Sequence, residues 1–190
     1  MKYYTEKNPT WLEWIASEKF NDKELFRIVT FYVFHSPCDK LSARRKTLQE
    51  YGWKNPWKKP YKLNIQLKEA SSNFNLLYSV DKYEKMSETL EKSNLLYNFP
   101  SDFMTERICI HDSQKNQFMS VFYHIRNSLA HGRLNMINID GECIFVFEDG
   151  SIEKKNGLFK VSARMILRKR TLLNWIDIIE SGEKEIVLKK

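Results

Sequence analysis

The chain has no cysteine pattern that could build a disulfide framework or a zinc ribbon. Cys38, Cys109 and Cys143 are odd in number, scattered and never spaced C-x-x-C. Small disulfide-stapled scaffolds are thereby excluded, and reduced thiols in a cytoplasmic protein are expected. Long apolar runs are missing as well. The longest largely apolar stretch, Ile28 to Phe34, is far short of the roughly 20 residues that span a bilayer, so no membrane partner is expected. The opening residues, MKYYTEKNPTWLEW, hold no apolar segment of the secretory-signal kind. No glycine-rich phosphate loop occurs, and no Ser-His-Asp arrangement stands out. His35-x2-Cys38, His111 and His124 lack zinc-ligand spacing. Neither a metal nor a cofactor is expected.

What remains is a basic, aromatic-rich globular sequence. With 190 residues, 42% of them hydrophobic and 14% aromatic, the chain suits one folded domain, 1–190, with a core of its own. Net charge is +7 and unevenly spread. From Lys40 to Lys62 eight basic residues face one acidic residue, Glu50, and from Lys154 to Arg170 there are seven basic residues and no acidic one. Between 101 and 150 the balance reverses, with four basic and seven acidic. Two basic patches about a less basic centre suit a polyanion such as RNA, although either patch alone is equally well a solvated surface. Lys54, Lys58 and Lys59 in the first, and Arg168 and Lys169 in the second, are the candidate RNA-binding residues. In the first patch lysines alternate with Tyr51, Trp53, Trp57 and Tyr61, as in a base-stacking platform or in a loop packed onto the core.

The periodicity predicts mostly helices. TWLEWIASEKF reads as a first helix, and KELFRIVTFYVFHS, after Asn21 or Asp22, as a second that is apolar all round and so buried. Leu41 to Tyr51 reads as a basic helix and YGWKNPWKKPYK as a loop. Helical spacing resumes at Ile65, Ala70, Phe74, Leu77 and Tyr78, and again through Met86, Leu90 and Leu95. Asp112 or Ser113 then caps a helix whose apolar face is Phe118, Phe122, Ile125 and Leu129, stopped by Gly132. Beyond it the period changes: LNMINIDGECIFVFEDG pairs two runs across Asp140-Gly141, and LFKVS can add a third strand. Ser162 is expected to cap a last helix closed by Gly182. The expected fold is mainly α: an antiparallel helical bundle over about 10–132, a small β-hairpin or meander over about 135–161, and a C-terminal helix over about 163–181.

One stretch is harder to read as helix alone. In FYHIRNSLAHGRLN, His131 and Gly132 make good C-terminal capping chemistry, but Arg126 and Asn127 interrupt an apolar helix without closing it. Asn127 and His131 lie one turn apart on one face, with His124 below them, whereas Arg126 stands about 140° around from His131. A shared site therefore needs the reach of arginine, a loosened last turn or a second chain.

RNSLAHG resembles the R-x(4–6)-H signature of HEPN domains, in the form with a polar residue directly after the arginine. The resemblance is specific over about residues 112–135, and the final RMILRKRTLLNWIDII is similar to the tail of small plasmid- and prophage-borne members. It implies an all-helical bundle, homodimeric, often a metal-independent ribonuclease of toxin–antitoxin or phage-defence systems, with an antitoxin or defence-system protein as a possible partner. Carried over, Arg126 is the motif arginine, Asn127 the polar residue and His131 the motif histidine, the three implied catalytic residues. Arg133 stands where one toxin subgroup has a modifiable tyrosine, so that form of neutralisation is not implied. The chemistry suits the residue types: histidine moves protons near neutral pH, and the arginine fork matches phosphoryl oxygens. The alternatives are a non-catalytic HEPN module that binds RNA, nucleotide or a partner protein, and a structural dimer in which RNSLAHG is only a well-capped helix.

Overall fold

The computed structural model describes residues 5–6, 22–38, 46–57, 62–71, 77–96, 103, 105–114 and 116–183. Its centre is a mixed β-sheet, not a helical bundle. Five strands, β2 (Leu77–Val80), β3 (Arg107–His111), β4 (Leu134–Ile139), β5 (Glu142–Ile152) and β6 (Phe159–Arg168), lie in the order β2-β3-β6-β5-β4, and the two-residue β1 (Thr5–Glu6) pairs with the start of β6. β2 and β3 are parallel, while every other pairing is antiparallel.

Among the described residues five helices cover the sheet: α1 (Lys23–Thr30), α2 (Lys62–Glu69), α3 (Met86–Lys92), α4 (Gln117–Ala130) and α5 (Lys169–Ser181). The mainly α, HEPN-like bundle with a small meander is thus overturned by a mixed α/β architecture. The physical reason lies in the middle strands. Phe145 and Phe147 of β5 and Met165 and Leu167 of β6 face α4 and α5, whereas Ile144, Val146 and Ile166 face α3. With both faces covered, the strands lose the polar alternation that marks a half-exposed sheet. "ARMILR", expected as the start of the last helix, is the end of β6, and α5 begins only at Lys169. The spacing over residues 65–78 likewise mixes α2 with β2, and α3 is the crossover joining β2 to its parallel neighbour β3.

A β-bulge interrupts β6. Asp149 pairs with Ala163 but Gly150 with Val161, which leaves Ser162 as the extra residue. The bulge reverses the strand's faces, so Phe159 and Val161 join Ile166 on the α3 side. Its hydroxyl lies 3.1 Å from that of Tyr83.

The other expectations resolve as follows. The second helix is α1 prolonged by a π-helical turn, Phe31–His35; it buries Ile28, Phe31 and Tyr32 but leaves Phe26 74% and Phe34 43% exposed, so it lies at the surface and not in the centre. Of the basic segment 41–51, only Gln49–Tyr51 is a described helix, a single 3₁₀ turn, and the first expected helix lies outside the described residues. The 51–57 loop is present and is anchored: Trp53 is fully buried and its Nε1–H donates to the carbonyl of Ile179 at 3.0 Å. On α5, Leu172, Trp175, Ile176 and Ile179 form the buried stripe, and Trp175 Nε1–H reaches the Leu67 carbonyl at 2.8 Å, tying down α2. No helix among the described residues is long and apolar enough to cross a membrane.

Candidate functional site at the C-terminal half of α4

Asn116, not Asp112 or Ser113, caps α4, its Oδ1 accepting from the amides of Phe118 and Met119. Phe118, Val121, Phe122 and Ile125 bury the helix on the sheet. The other end closes as a Schellman motif: Arg133 N–H donates to the Ser128 carbonyl, Gly132 N–H to that of Leu129, and Gly132 takes φ +65°. Chain direction reverses there directly into β4, which lays β5 beside α4.

That return places Asp149 of β5 beneath α4, and its carboxylate organises the site. Oδ2 accepts from Nδ1–H of His124 at 2.7 Å and from the Asn127 side-chain amide at 3.2 Å. Oδ1 accepts from the Gly150 amide at 2.9 Å. The far nitrogen of His124, Nε2, lies 2.7 Å from the backbone carbonyl of His111. Both nitrogens of the His124 ring thus lie within hydrogen-bond distance of a fixed oxygen, which locks the ring between β3 and β5. The His124 and Asp149 side chains are shielded, at 1% and 7% exposure.

The network continues outward. Anchored through its amide nitrogen, Asn127 presents its oxygen to Nη1–H of Arg126 at 2.9 Å. The Arg126 guanidinium is half-buried, and its Nε meets no hydrogen-bond partner among the described residues. A chain of hydrogen bonds therefore runs from His111 through His124, Asp149 and Asn127 to Arg126.

His111 is itself packed, its ring stacked on Tyr83 at 3.8 Å between centroids. Lys160 Nζ lies 3.5 Å from the centroid of the same Tyr83 ring. Burial first, then the neighbouring His124 and Lys160, holds the His111 imidazole below its ordinary pKa. On the opposite face of β5, Glu148 receives Arg164 Nε–H at 3.0 Å and Arg133 Nη1–H at 3.3 Å. Arg164, fully buried, also donates to the carbonyls of Leu95 and Leu96, fastening the loop after α3 to the sheet.

Of the three residues implied by the motif, Arg126 and Asn127 are joined directly. His131 occupies the helix cap, exposed, with no side-chain hydrogen bond to either. Lys54 is exposed beside Trp57, and Lys58 and Lys59 lie outside the described residues. Arg168 is turned inward, 6% exposed, with Nη1 at 3.2 Å from Glu142. Lys169 pairs with Asp22 at 2.9 Å and Glu24 at 2.6 Å, which together hold its ammonium pKa well above the usual value. The second basic patch is therefore largely neutralised by its own fold. No group of three or more His, Cys, Asp or Glu able to hold a metal ion gathers among the described residues.

Sequence reasoning set His124 on the face of Asn127 without giving it a role, and passed over Asp149. The signal was the i, i+3 spacing of His124 and Asn127, which puts two polar groups on one helix face, followed by an acidic residue in an otherwise apolar strand. Comparison with known proteins finds no matching family, no similar curated sequence and no solved structure of similar fold.

Proposed function

We propose that the chain is a metal-independent endoribonuclease working from the C-terminal end of α4 as a cytoplasmic homodimer. The observation that carries this reading is the state of Arg126. Asn127 holds its guanidinium in place, yet no carboxylate neutralises it among the described residues, whereas Arg27, Arg133, Arg164, Arg168 and Arg170 all have acidic partners. A positioned, uncompensated guanidinium half-way into the surface suits a phosphodiester, whose two free oxygens match the arginine fork.

His131, one turn beyond Asn127, supplies the proton transfer. The substrate's 2′-hydroxyl attacks the adjacent phosphorus as its proton passes to His131, the P–O5′ bond breaks, and His131 returns that proton to the departing 5′-oxygen. Arg126 meets the charge that builds on the phosphoryl oxygens. Products are a 2′,3′-cyclic phosphate and a 5′-hydroxyl. The ideal-helix angle of about 140° between Arg126 and His131 favours a second copy completing the cleft. The toxin or phage-defence setting comes only from the short RNSLAHG resemblance, since the bundle that the resemblance implies is not the fold.

The exposed, unheld ring of His131 favours a second reading, RNA binding without cleavage. Purified protein incubated with RNA in EDTA, wild type beside His131→Ala, separates the two. Cutting by the wild type alone supports the nuclease, whereas binding without cutting by either protein leaves the binding module.

A further inference from the structure

At the other end of α4, about 15 Å from Arg126 along the helix, a cleft of about 490 Å³ opens between the N-cap and the 47–57 segment. Its size falls in the range of small-molecule sites. We propose that this cleft is a nucleobase-binding site, taking one base of a single-stranded RNA or the base of a free nucleotide.

The residues lining it argue for that ligand class. Trp57 is a half-buried aromatic wall, and Leu48 and Met119 give an apolar floor. Four carboxamide residues line it, Gln49, Asn55, Gln114 and Asn116, and a carboxamide carries both the donor and the acceptor that a base edge presents. Asn116 Oδ1 is engaged in capping α4, which leaves its amide hydrogens for a ligand. Lys54 supplies an exposed cation for the attached phosphate; no carboxylate is among the described lining residues, and the nearby Glu183 carboxylate accepts from the backbone amides of Lys54 at 3.1 Å and Asn55 at 3.4 Å. The one carboxylate of the neighbouring 3₁₀ turn, Glu50, is folded back onto Thr47 as a capping box, accepting from its backbone amide at 2.6 Å and its hydroxyl at 3.0 Å.

The cleft also sorts the aromatic–lysine pattern of the sequence. Tyr51 and Trp53 are core anchors with hydrogen bonds to His35 and Ile179, while Trp57 packs on the core and also lines the cleft; Tyr61 lies outside the described residues. Base binding here goes beyond RNA cleavage and does not depend on it.

Isothermal titration calorimetry of the full chain with each of the four ribonucleoside 5′-monophosphates, and with 2′-O-methylated ten-mers that resist cleavage, tests the site. Wild type is expected to bind at least one monophosphate. Trp57→Ala should weaken that binding about tenfold or more, Trp57→Phe should retain most of it, and Asn55→Ala or Gln49→Ala should change the preference among bases. A ten-mer that binds much more tightly than its monophosphate identifies a strand as the ligand, and equal affinity identifies the free nucleotide. The site is refuted by wild type binding none of these probes, or by equal affinity in wild type, Trp57→Ala and Asn55→Ala. Gln49 and Asn55 are exposed, so their variants test the cleft even if Trp57→Ala fails to fold.

Discussion

His124 and Asp149 meet at 2.7 Å beneath the surface, one on a helix and the other on the strand that helix covers. Removing one partner leaves the other's buried polar group without its hydrogen bond. Asp149→Ala is therefore expected to lower unfolding free energy by about 3–5 kcal/mol, whereas the double replacement His124→Leu, Asp149→Leu should lose much less. Urea denaturation of the three variants checks this, and a double variant no more stable than Asp149→Ala would contradict it.

The same carboxylate sets Asn127, and Asn127 sets Arg126. Asn127→Ala should slow RNA cleavage about tenfold or more through disorder of Arg126, with little effect on helix content. Arg126→Lys keeps the charge and loses the fork, so it should be slower still. RNA methylated at the 2′-oxygen of the cut linkage should resist, and end-group analysis should find 5′-hydroxyls. Products bearing 5′-phosphates would sink the proposed chemistry.

The depressed pKa of His111 predicts an acid-side loss of stability. Below the ordinary imidazole value of 6.5 the unfolded chain takes up a proton that the folded His111 resists, so this contribution is intact above about pH 6.5 and declines as pH falls toward the lower folded-state value. Melting curves from pH 7.5 downward should fall more steeply for wild type than for His111→Gln. Parallel curves would assign the acid sensitivity to other groups.

Gly150 has no room for a side chain. A Cβ there would stand 2.4 Å from the Lys160 carbonyl oxygen and 2.6 Å from the Phe159 ring. Gly150→Ala is expected to cost about 1–3 kcal/mol or more by overpacking, and its position beside Asp149 should disturb Arg126 as well. Thermal unfolding and RNA cleavage measured on the same sample check both effects.

Much of this was legible in the sequence, and the failures share a cause. The Phe118, Phe122, Ile125 and Leu129 stripe, the glycine stop at 132 and the Asp140-Gly141 hairpin each follow from local chemistry, and each stands. β2, β3 and the full length of β6 do not. The partners of β2 and β3 lie far away in sequence, and strands buried on both faces, β6 among them, carry no period of 2 to read. Arg164 misled further, because a charged residue inside RMILR looks like the polar side of a helix until Glu148 is seen opposite it. Arg168 and Lys169 looked like free charge because Glu142, Asp22 and Glu24 are brought to them only by folding. At the site, Arg126, Asn127 and His131 could be chosen by residue type, but the residue that orients two of them could not, since Asp149 is 22 positions from Asn127.

The strand order has a consequence for how the molecule comes into being. β6 is the middle strand, yet both strands that flank it are synthesised before it. Until residues 159–168 emerge, β3 has β2 but no antiparallel neighbour, β5 has only its hairpin with β4, and the apolar face of α4 has half a platform to settle on. Completion of the sheet is then a late event, because β6 must close onto β3 by a pairing distant in sequence, the intrinsically slow kind. During that interval two open strand edges and an uncovered aromatic face coexist in the nascent chain, the condition in which partly made proteins associate with one another and come to need chaperones.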